Sequence, residues 1–358
     1  MIAGKVFKMA LKNGMDESLC RDLTDALDRT RSVALFQTAS LVRDRVFGRE
    51  IHCMATVGPI LPCKLKPHCR YCSFWRMPVL DEDAVVDGVR IMEQRGMKRV
   101  LLVGGACTEG YDREMTDIVK AVKKRTTLDL ELNIGASLSQ ETVRRLKDTG
   151  VAGITASLET VNRGVFMQAK PGDCFERRKR FLEICDREGF EVRSVVMAGC
   201  GESEEDRIHH LVYLRGIKNL RYLMISRFTP QPRSPWGGLP GCSSLDWART
   251  IALARLILPH VHIVMGGGTR TEDLSLWYPA GGGNQVFGMG TMSGGSPMKH
   301  PSELAIPVNE RVSVVDRLPV VGPLMEAFGC RISFEDRLPD ETGERMRIRK
   351  GYWEIKPM

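Results

Sequence analysis

The stretch Cys63-Lys-Leu-Lys-Pro-His-Cys69-Arg-Tyr-Cys72, followed directly by Ser73-Phe74-Trp75, decides how the rest of the chain is read. Three cysteines within ten residues, spaced C-x5-C-x2-C, either bind metal or exchange a disulfide. Structural zinc takes four ligands and a redox pair needs two thiols, so three fit neither pattern alone. A four-iron, four-sulfur (4Fe–4S) cubane held by three thiolates leaves one iron with an open position, where a second molecule can bind. His52, Cys53 or His68 could instead complete a zinc knuckle, and these residues alone leave that alternative standing.

The chain has 358 residues, enough for one large α/β barrel or two ordinary domains. A composition of 43% hydrophobic and 27% charged residues supports a sizeable globular core. The longest apolar run, near Ile251 to Leu258, is short and carries Arg255, so no membrane span is expected. The opening MIAGKVFKMALKNG has lysines but neither a sustained apolar segment nor a small-residue cleavage site, so no signal peptide is expected. Eleven cysteines, an odd number scattered along the chain, fit a reducing cytoplasm better than a disulfide framework. The net charge of +8 is dispersed, and its densest clusters, Arg177 to Arg180 and Arg345 to Lys350, sit beside acids. That pattern reads as solvated helix faces and a pocket for anionic ligands rather than a nucleic-acid surface.

Periodicity then divides the chain. Residues 1–48 read as a helical preface, with Leu19, Leu23 and Leu27 on one face and a second run from Val33 to Val46 stopped by Gly48. From Glu50 strand and helix alternate about seven times: strands at Ile51–Val57, Arg99–Val103, Leu128–Ile134, Gly153–Leu158, Glu191–Met197, Tyr222–Ser226 and His262–Met265, and a weaker one at Gln285–Phe287. Helices fill the gaps at Asp81–Gly96, Asp112–Lys124, Gln140–Thr149, Phe175–Glu188, Glu204–Leu214 and Leu245–Leu258, the last capped by Ser243. Alternation on this scale predicts an α/β fold of the (β/α) TIM-barrel type over 49–292, with a C-terminal extension over 293–358 that wraps the barrel or covers its mouth. Active sites of such barrels lie at the C-terminal ends of the strands. The cysteine loop, Gly104-Gly105, Asn133, Ser157 to Thr160, Gly199 to Glu202 and Gly266 to Arg270 all lie there and are expected to converge on one mouth.

This combination resembles the radical S-adenosylmethionine (radical SAM) enzymes, and in particular their biotin synthase branch, over roughly residues 50–290. The resemblance rests on the cysteine triplet after the first strand, Tyr71 before its last cysteine, Gly104-Gly105 after the second strand and an acid after the fourth. It is strengthened by SLET at 157–160, ERRKRFL from Glu176, MAGCGESEEDR at 197–207 and ARTIALARLILP at 248–259. The resemblance implies that Cys63, Cys69 and Cys72 hold a 4Fe–4S cluster whose open iron chelates S-adenosylmethionine. It further implies one-electron cleavage of the sulfonium to give a 5′-deoxyadenosyl radical. On the same basis Gly104 and Gly105 approach the methionine amino group, Ser157 and Glu159 line the cofactor, and Glu159 accepts from that amino group or the ribose. Arg178 then pairs with the methionine carboxylate, and Tyr71 and the Gly199 turn pack against adenine. Asn133 and Arg270 are the candidate substrate contacts, and Gly281-Gly282-Gly283-Asn284 a second donor-rich segment. The resemblance also implies a small-molecule substrate and an electron donor such as ferredoxin or flavodoxin.

Two departures narrow the reading. The family's usual spacing is C-x3-C-x2-C; the longer loop here resembles that of the radical enzymes that build the iron-guanylylpyridinol cofactor of iron hydrogenase. The positions where biotin synthase carries further barrel cysteines are Val103, Asn133 and Arg193 here, which argues against sulfur insertion from a second cluster. The expected role is therefore a carbon-skeleton step in cofactor biosynthesis. The alternatives are a lipoyl-type sulfur-transfer enzyme and, more remotely, a zinc-stabilised nucleic-acid-binding protein.

Overall fold

Arg99–Val103 shows in miniature how the chain folds. Val100 and Leu102 belong to the core under the helices, whereas Arg99 reaches Glu131 and Tyr222 on other strands. Side chains alternate faces along a strand, so in a closed sheet one set lines the lumen and the other packs outward. The computed structural model describes residues 32–294 and 304–335, together with residues 6, 9–11, 14–16 and 18. The expected helix carrying Leu19, Leu23 and Leu27 and the basic cluster Arg345 to Lys350 lie outside the described residues.

Helix α1 (Ser32–Phe47) leads into β1 (Glu50–Val57), and the barrel strands follow as β2 (Arg99–Val103), β3 (Asp129–Asn133), β4 (Val151–Thr155), β5 (Glu191–Ala198), β6 (Leu220–Arg227), β7 (His262–Met265) and β8 (Asn284–Ser293). All neighbours are parallel, and β1 also pairs with β8, which closes an eight-stranded barrel. Between the strands run α2 (Glu82–Gln94), α3 (Asp112–Lys123), α4 (Gln140–Asp148), α5 (Arg163–Ala169), α6 (Phe175–Arg187), α7 (Glu204–Arg215) and α8 (Ser244–Ile257). Short polar residues start most of them: Asp81, Ser139, Asn162, Ser203 and Ser243 each accept a backbone N–H of the first turn. No helix among the described residues is long and apolar enough to cross a membrane.

Two sequence expectations change. The weak strand at Gln285–Phe287 is the ten-residue β8, the longest in the sheet; Gly288 and Gly290 lower its apparent strand propensity. Gly281 to Gly283 precede β8 and Asn284 opens it, so the segment lies at the end of the barrel opposite the mouth. Its carbonyls are taken by Arg255, fully buried in α8, which donates to Gly281 (3.0 Å) and Gly283 (2.8 Å) and also to Pro259 and Val261. That pairing also explains how an arginine sits inside the chain's longest apolar run: its donors are satisfied by backbone.

Beyond β8, β9 (Leu304–Pro307) pairs antiparallel with β10 (Val312–Asp316), which in turn adds antiparallel to the C-terminal half of β8. Helix α9 (Leu318–Ala327) then leads to β11 (Arg331–Ser333), which pairs with the start of β1. The described part of the extension thus wraps the side and base of the barrel.

Candidate active site

The cysteine loop is fastened to three parts of the mouth. At the end of β2, Gly105 N–H donates to Leu61 and Lys64 N–H to Ala106, both at 2.8 Å. A side chain on Gly105 would lie 2.2 Å from the backbone nitrogen of Cys63, so glycine is what lets the loop seat there. Arg70 N–H donates to Ala169 at the end of α5, and Trp236 N–H donates to Arg70, tying in the loop after β6. Within the loop Phe74 N–H points at Cys72 Sγ (3.3 Å).

All three thiols are half-buried, and Cys72 lies within electrostatic reach of both Cys63 and Cys69. Burial pushes the Cys69 thiol up to about 12 and raises that of Cys72, so without a bound cation these groups stay protonated. Among the described residues no three His, Cys, Asp or Glu side chains converge on a single ion, the arrangement that zinc requires. A cubane takes each thiolate on a different iron and does not require it. Three free thiols on one loop, with cations Lys170 and Arg178 near Cys69, fit an anionic iron–sulfur cluster.

Behind the loop lies a buried tetrad of charges. Glu159 stands just past β4 with φ of 68°, the left-handed region that a non-glycine residue seldom occupies. Its backbone is held by β5, Met197 N–H donating to its carbonyl at 2.9 Å. Lys170 Nζ donates to Glu159 Oε1 (2.7 Å) and lies 3.4 Å from Asp173; Tyr71 donates its hydroxyl to Glu159 Oε2. Asp173 Oδ2 accepts from Arg178 through both Nε (2.8 Å) and Nη2 (2.7 Å). Arg178 Nη1 is left toward the Ser157 carbonyl (3.4 Å) and Glu159 (3.7 Å).

None of the four side chains is more than 16% exposed, so solvent screens them weakly. Burial alone would raise the Glu159 carboxyl, but Lys170 and Arg178 outweigh it and hold the group below its usual range. Burial likewise opposes ionisation of Asp173, and Arg178 and Lys170 prevail, bringing it to about 2. Burial and the charge of Arg178 press Lys170 down, yet Glu159, Cys69 and Asp173 leave it raised, hence charged. Burial, then Glu159, keeps Tyr71 protonated as a donor. Arg178 is thus no exposed helix charge, and Glu159 caps no helix; that role falls to Asn162.

The other expected residues lie around this centre. Ser157 is buried, and Gly104, at the end of β2, donates its N–H to the Asn133 carbonyl (2.9 Å). Gly199 (φ 94°) turns after β5, where a side chain would meet Cys242 at 2.4 Å. The turn is clamped by Glu202, which accepts from the N–H groups of Gly199 (2.7 Å) and Cys200 (2.8 Å) and from Arg207 (2.7 Å). Asn133 is half-buried at the end of β3, and Arg270 is exposed beyond β7. Cys107 and Cys200 are both buried. Sequence reasoning missed Lys170 and Asp173. The segment Lys170-Pro-Gly-Asp173 reads as an exposed turn, and only the packing of α5 and α6 against the loop buries it.

Residues 63–214 match the family model described as the Radical SAM superfamily. An uncharacterized protein of Methanocaldococcus jannaschii is 32% identical over 287 residues, 77% of this chain and 76% of that one. Biotin synthase of Pelotomaculum thermopropionicum is 27% identical over 274 residues, 74% of this chain and 83% of the enzyme. Among solved structures, methylornithine synthase (PylB) superposes with a TM-score of 0.74 at 19% identity, covering 93% of this chain and 97% of that one. The FeFe-hydrogenase maturase HydG of Carboxydothermus hydrogenoformans gives 0.72 at 18% identity, covering 94% and 80%. The two superpositions speak for the barrel fold. With the three-cysteine loop seated at the barrel's mouth, the chain belongs to the radical SAM superfamily.

Proposed function

We propose that this radical SAM enzyme carries out a carbon-skeleton step in cofactor biosynthesis, acting on a precursor of the pyridinol in the iron-guanylylpyridinol cofactor of iron hydrogenase. Radical SAM enzymes use a 4Fe–4S cluster and S-adenosylmethionine, which together supply a 5′-deoxyadenosyl radical able to remove a hydrogen atom from substrate. In this chain Cys63, Cys69 and Cys72 hold the cluster. Arg178, steadied by Asp173 along one edge, offers its Nη1 side to the methionine carboxylate. Glu159, kept ionised by its neighbours, accepts from the methionine amino group. Gly104 and Gly105 would floor the cofactor, Ser157 would border it, and Tyr71 and the Gly199 turn would pack against adenine, Tyr71 also donating to the Glu159 carboxylate. Asn133 and Arg270 face the substrate, a small molecule in the barrel mouth. A soluble one-electron donor such as ferredoxin or flavodoxin works with it in a reducing cytoplasm.

The observation that carries skeleton chemistry over sulfur insertion is the Arg193–Glu131 pair inside the barrel. Arg193 Nε lies 2.7 Å from Glu131 Oε2, and both side chains are fully buried. By the resemblance, Arg193 occupies a position where biotin synthase would carry a cluster thiol. The longer cysteine spacing supports the pyridinol pathway within that class. The test is anaerobic turnover with candidate pyridinol precursors, scoring 5′-deoxyadenosine and product mass. One set of Mössbauer parameters and a sulfur-free product are expected. A second cluster, or product sulfur derived from the protein, would replace this reading with the lipoyl-type one.

A further inference from the structure

From Ile51 to Leu80 the chain contains no aspartate or glutamate, while it carries Lys64, Lys66, Arg70 and Arg76. All four are exposed, and all lie within four residues of a cluster cysteine. Arg233 adds a fifth exposed cation from the loop after β6, which is bonded to this one through Trp236 N–H and the Arg70 carbonyl (2.9 Å). The acids that follow, Asp81 to Asp83, begin only at α2. There Asp81 caps the helix and Asp83 pairs with Arg311.

The surface is also structured. His68 stacks on Trp75 with ring centroids 4.3 Å apart and planes 6° from parallel. Arg76 covers Trp75 at 4.3 Å, and Lys66 Nζ lies 3.1 Å from His68 Nε2. Cationic side chains packed around a half-buried aromatic pair make a fixed positive platform rather than a set of independent solvated charges.

We propose that this platform is the docking surface for an acidic one-electron carrier protein, which delivers the electron that the cluster needs. The proposal rests on the cluster reading of Cys63, Cys69 and Cys72. The step moves one electron and no atoms: the carrier's flavin or iron–sulfur centre is oxidised by one unit and the cluster is reduced by one unit. Lys66 is three residues from Cys69, at most ~11 Å along the chain, so a carrier seated on these cations is held close to the cluster. A complementary negative face would be steered onto it, because opposed charged patches raise encounter rates by roughly 10- to 1,000-fold. An anionic small substrate would not need charges on the outer rim, whereas a protein must contact the rim.

The test mixes cluster-loaded protein with reduced flavodoxin in an anaerobic stopped-flow and follows cluster bleaching at sub-saturating concentrations. Lys64→Glu, Lys66→Glu and Arg76→Glu are each expected to slow the second-order rate by about 3- to 10-fold, and the triple variant by on the order of 100-fold. Raising the salt should slow the unmodified protein. Iron content and the rate with dithionite should not change. Because Arg76→Glu disturbs Trp75 and Lys66→Glu removes the contact to His68, the Lys64→Glu/Arg233→Glu pair serves as the variant that spares the stack. A triple variant reduced by flavodoxin at the unmodified rate would overturn the proposal. So would an equal loss with dithionite, which would place the defect in the cluster itself. If the surface binds an RNA oligonucleotide and the variants lose only that binding, it is a nucleic-acid surface instead. A protein that takes up no iron at all would refute the cluster reading first.

Discussion

Lys170 is the most informative residue to remove. Replacing it with methionine keeps the length of the side chain but deletes the ammonium lying 2.7 Å from Glu159 and 3.4 Å from Asp173. Glu159 then keeps the Tyr71 hydroxyl and a guanidinium 3.7 Å away, too far for a direct hydrogen bond. Removing one partner of a buried ion pair costs about 3–5 kcal/mol, mostly from the uncompensated charge. At 358 residues about 1.3 °C of melting midpoint corresponds to each kcal/mol, so the metal-free variant should melt roughly 4–7 °C lower. The same rule says the loss should shrink when the stranded charge is also removed. Lys170→Met/Glu159→Gln should therefore be less destabilised than the two single changes sum to, with a coupling of about 1–3 kcal/mol. Anaerobic calorimetry on the four proteins measures this. Strict additivity, or a Lys170→Met variant melting within 1–2 °C of the parent, would show that the tetrad is not an interacting unit.

Cys63→Ala, Cys69→Ala and Cys72→Ala should each abolish the brown, air-sensitive cluster of about four irons; a full cluster in Cys63→Ala, read by iron and sulfide assay, would refute the three-thiolate assignment. Arg178→Ala should weaken S-adenosylmethionine binding by about 1.5–3 kcal/mol, roughly 10- to 150-fold, with cluster content unchanged, as read by equilibrium binding. In acid unfolding of the metal-free protein, Asp173 gives a signed prediction. Its pKa is depressed from 3.8 to about 2 in the folded chain, so its contribution of about 2 kcal/mol is complete above pH ~4. That contribution is lost as pH falls through about 2, and Asp173→Asn should flatten this part of the stability profile.

Much of the barrel was legible because its signals are local. Val100–Val103 is an unbroken apolar run, and Ser243 caps α8 as its spacing predicts, so both elements appear in the sequence as they do in the fold. β8 was underread because Gly288 and Gly290 suppress the pattern, while its pairing with β1 is a long-range contact that no local window contains. At the site the cysteines, Glu159 and Arg178 were visible through spacing and resemblance. What surrounds them was not. Lys170 and Asp173 sit in a Pro-Gly turn whose composition signals exposure, and their burial follows from α5 and α6 closing over the cysteine loop. The role of Glu202 was half visible: the glycine–glutamate spacing could be read, but not that its carboxylate accepts two N–H groups of its own turn.

The proposed carbon-skeleton chemistry rests on the lumen of the barrel. Arg193 extends from β5 until its Nη2 lies 3.3 Å from the sulfur of Met54 on β1, with its guanidinium 4.1 Å from the Tyr222 ring and 5.6 Å from that of Phe287. Glu131 is shared between Arg193 and Arg99; burial opposes its charge, and the two guanidinium groups more than compensate. Breaking such a buried pair is expensive, so the Arg193 side chain holds its place in the lumen. A second cluster would need thiolates in this space, and it is filled by a paired arginine. Cys53 faces the other way, against Gly288, and burial pushes its thiol up to about 12, that of an inert packed residue. Below the mouth this part of the lumen therefore presents a fixed arginine–glutamate floor, the environment that the proposed carbon-skeleton chemistry calls for.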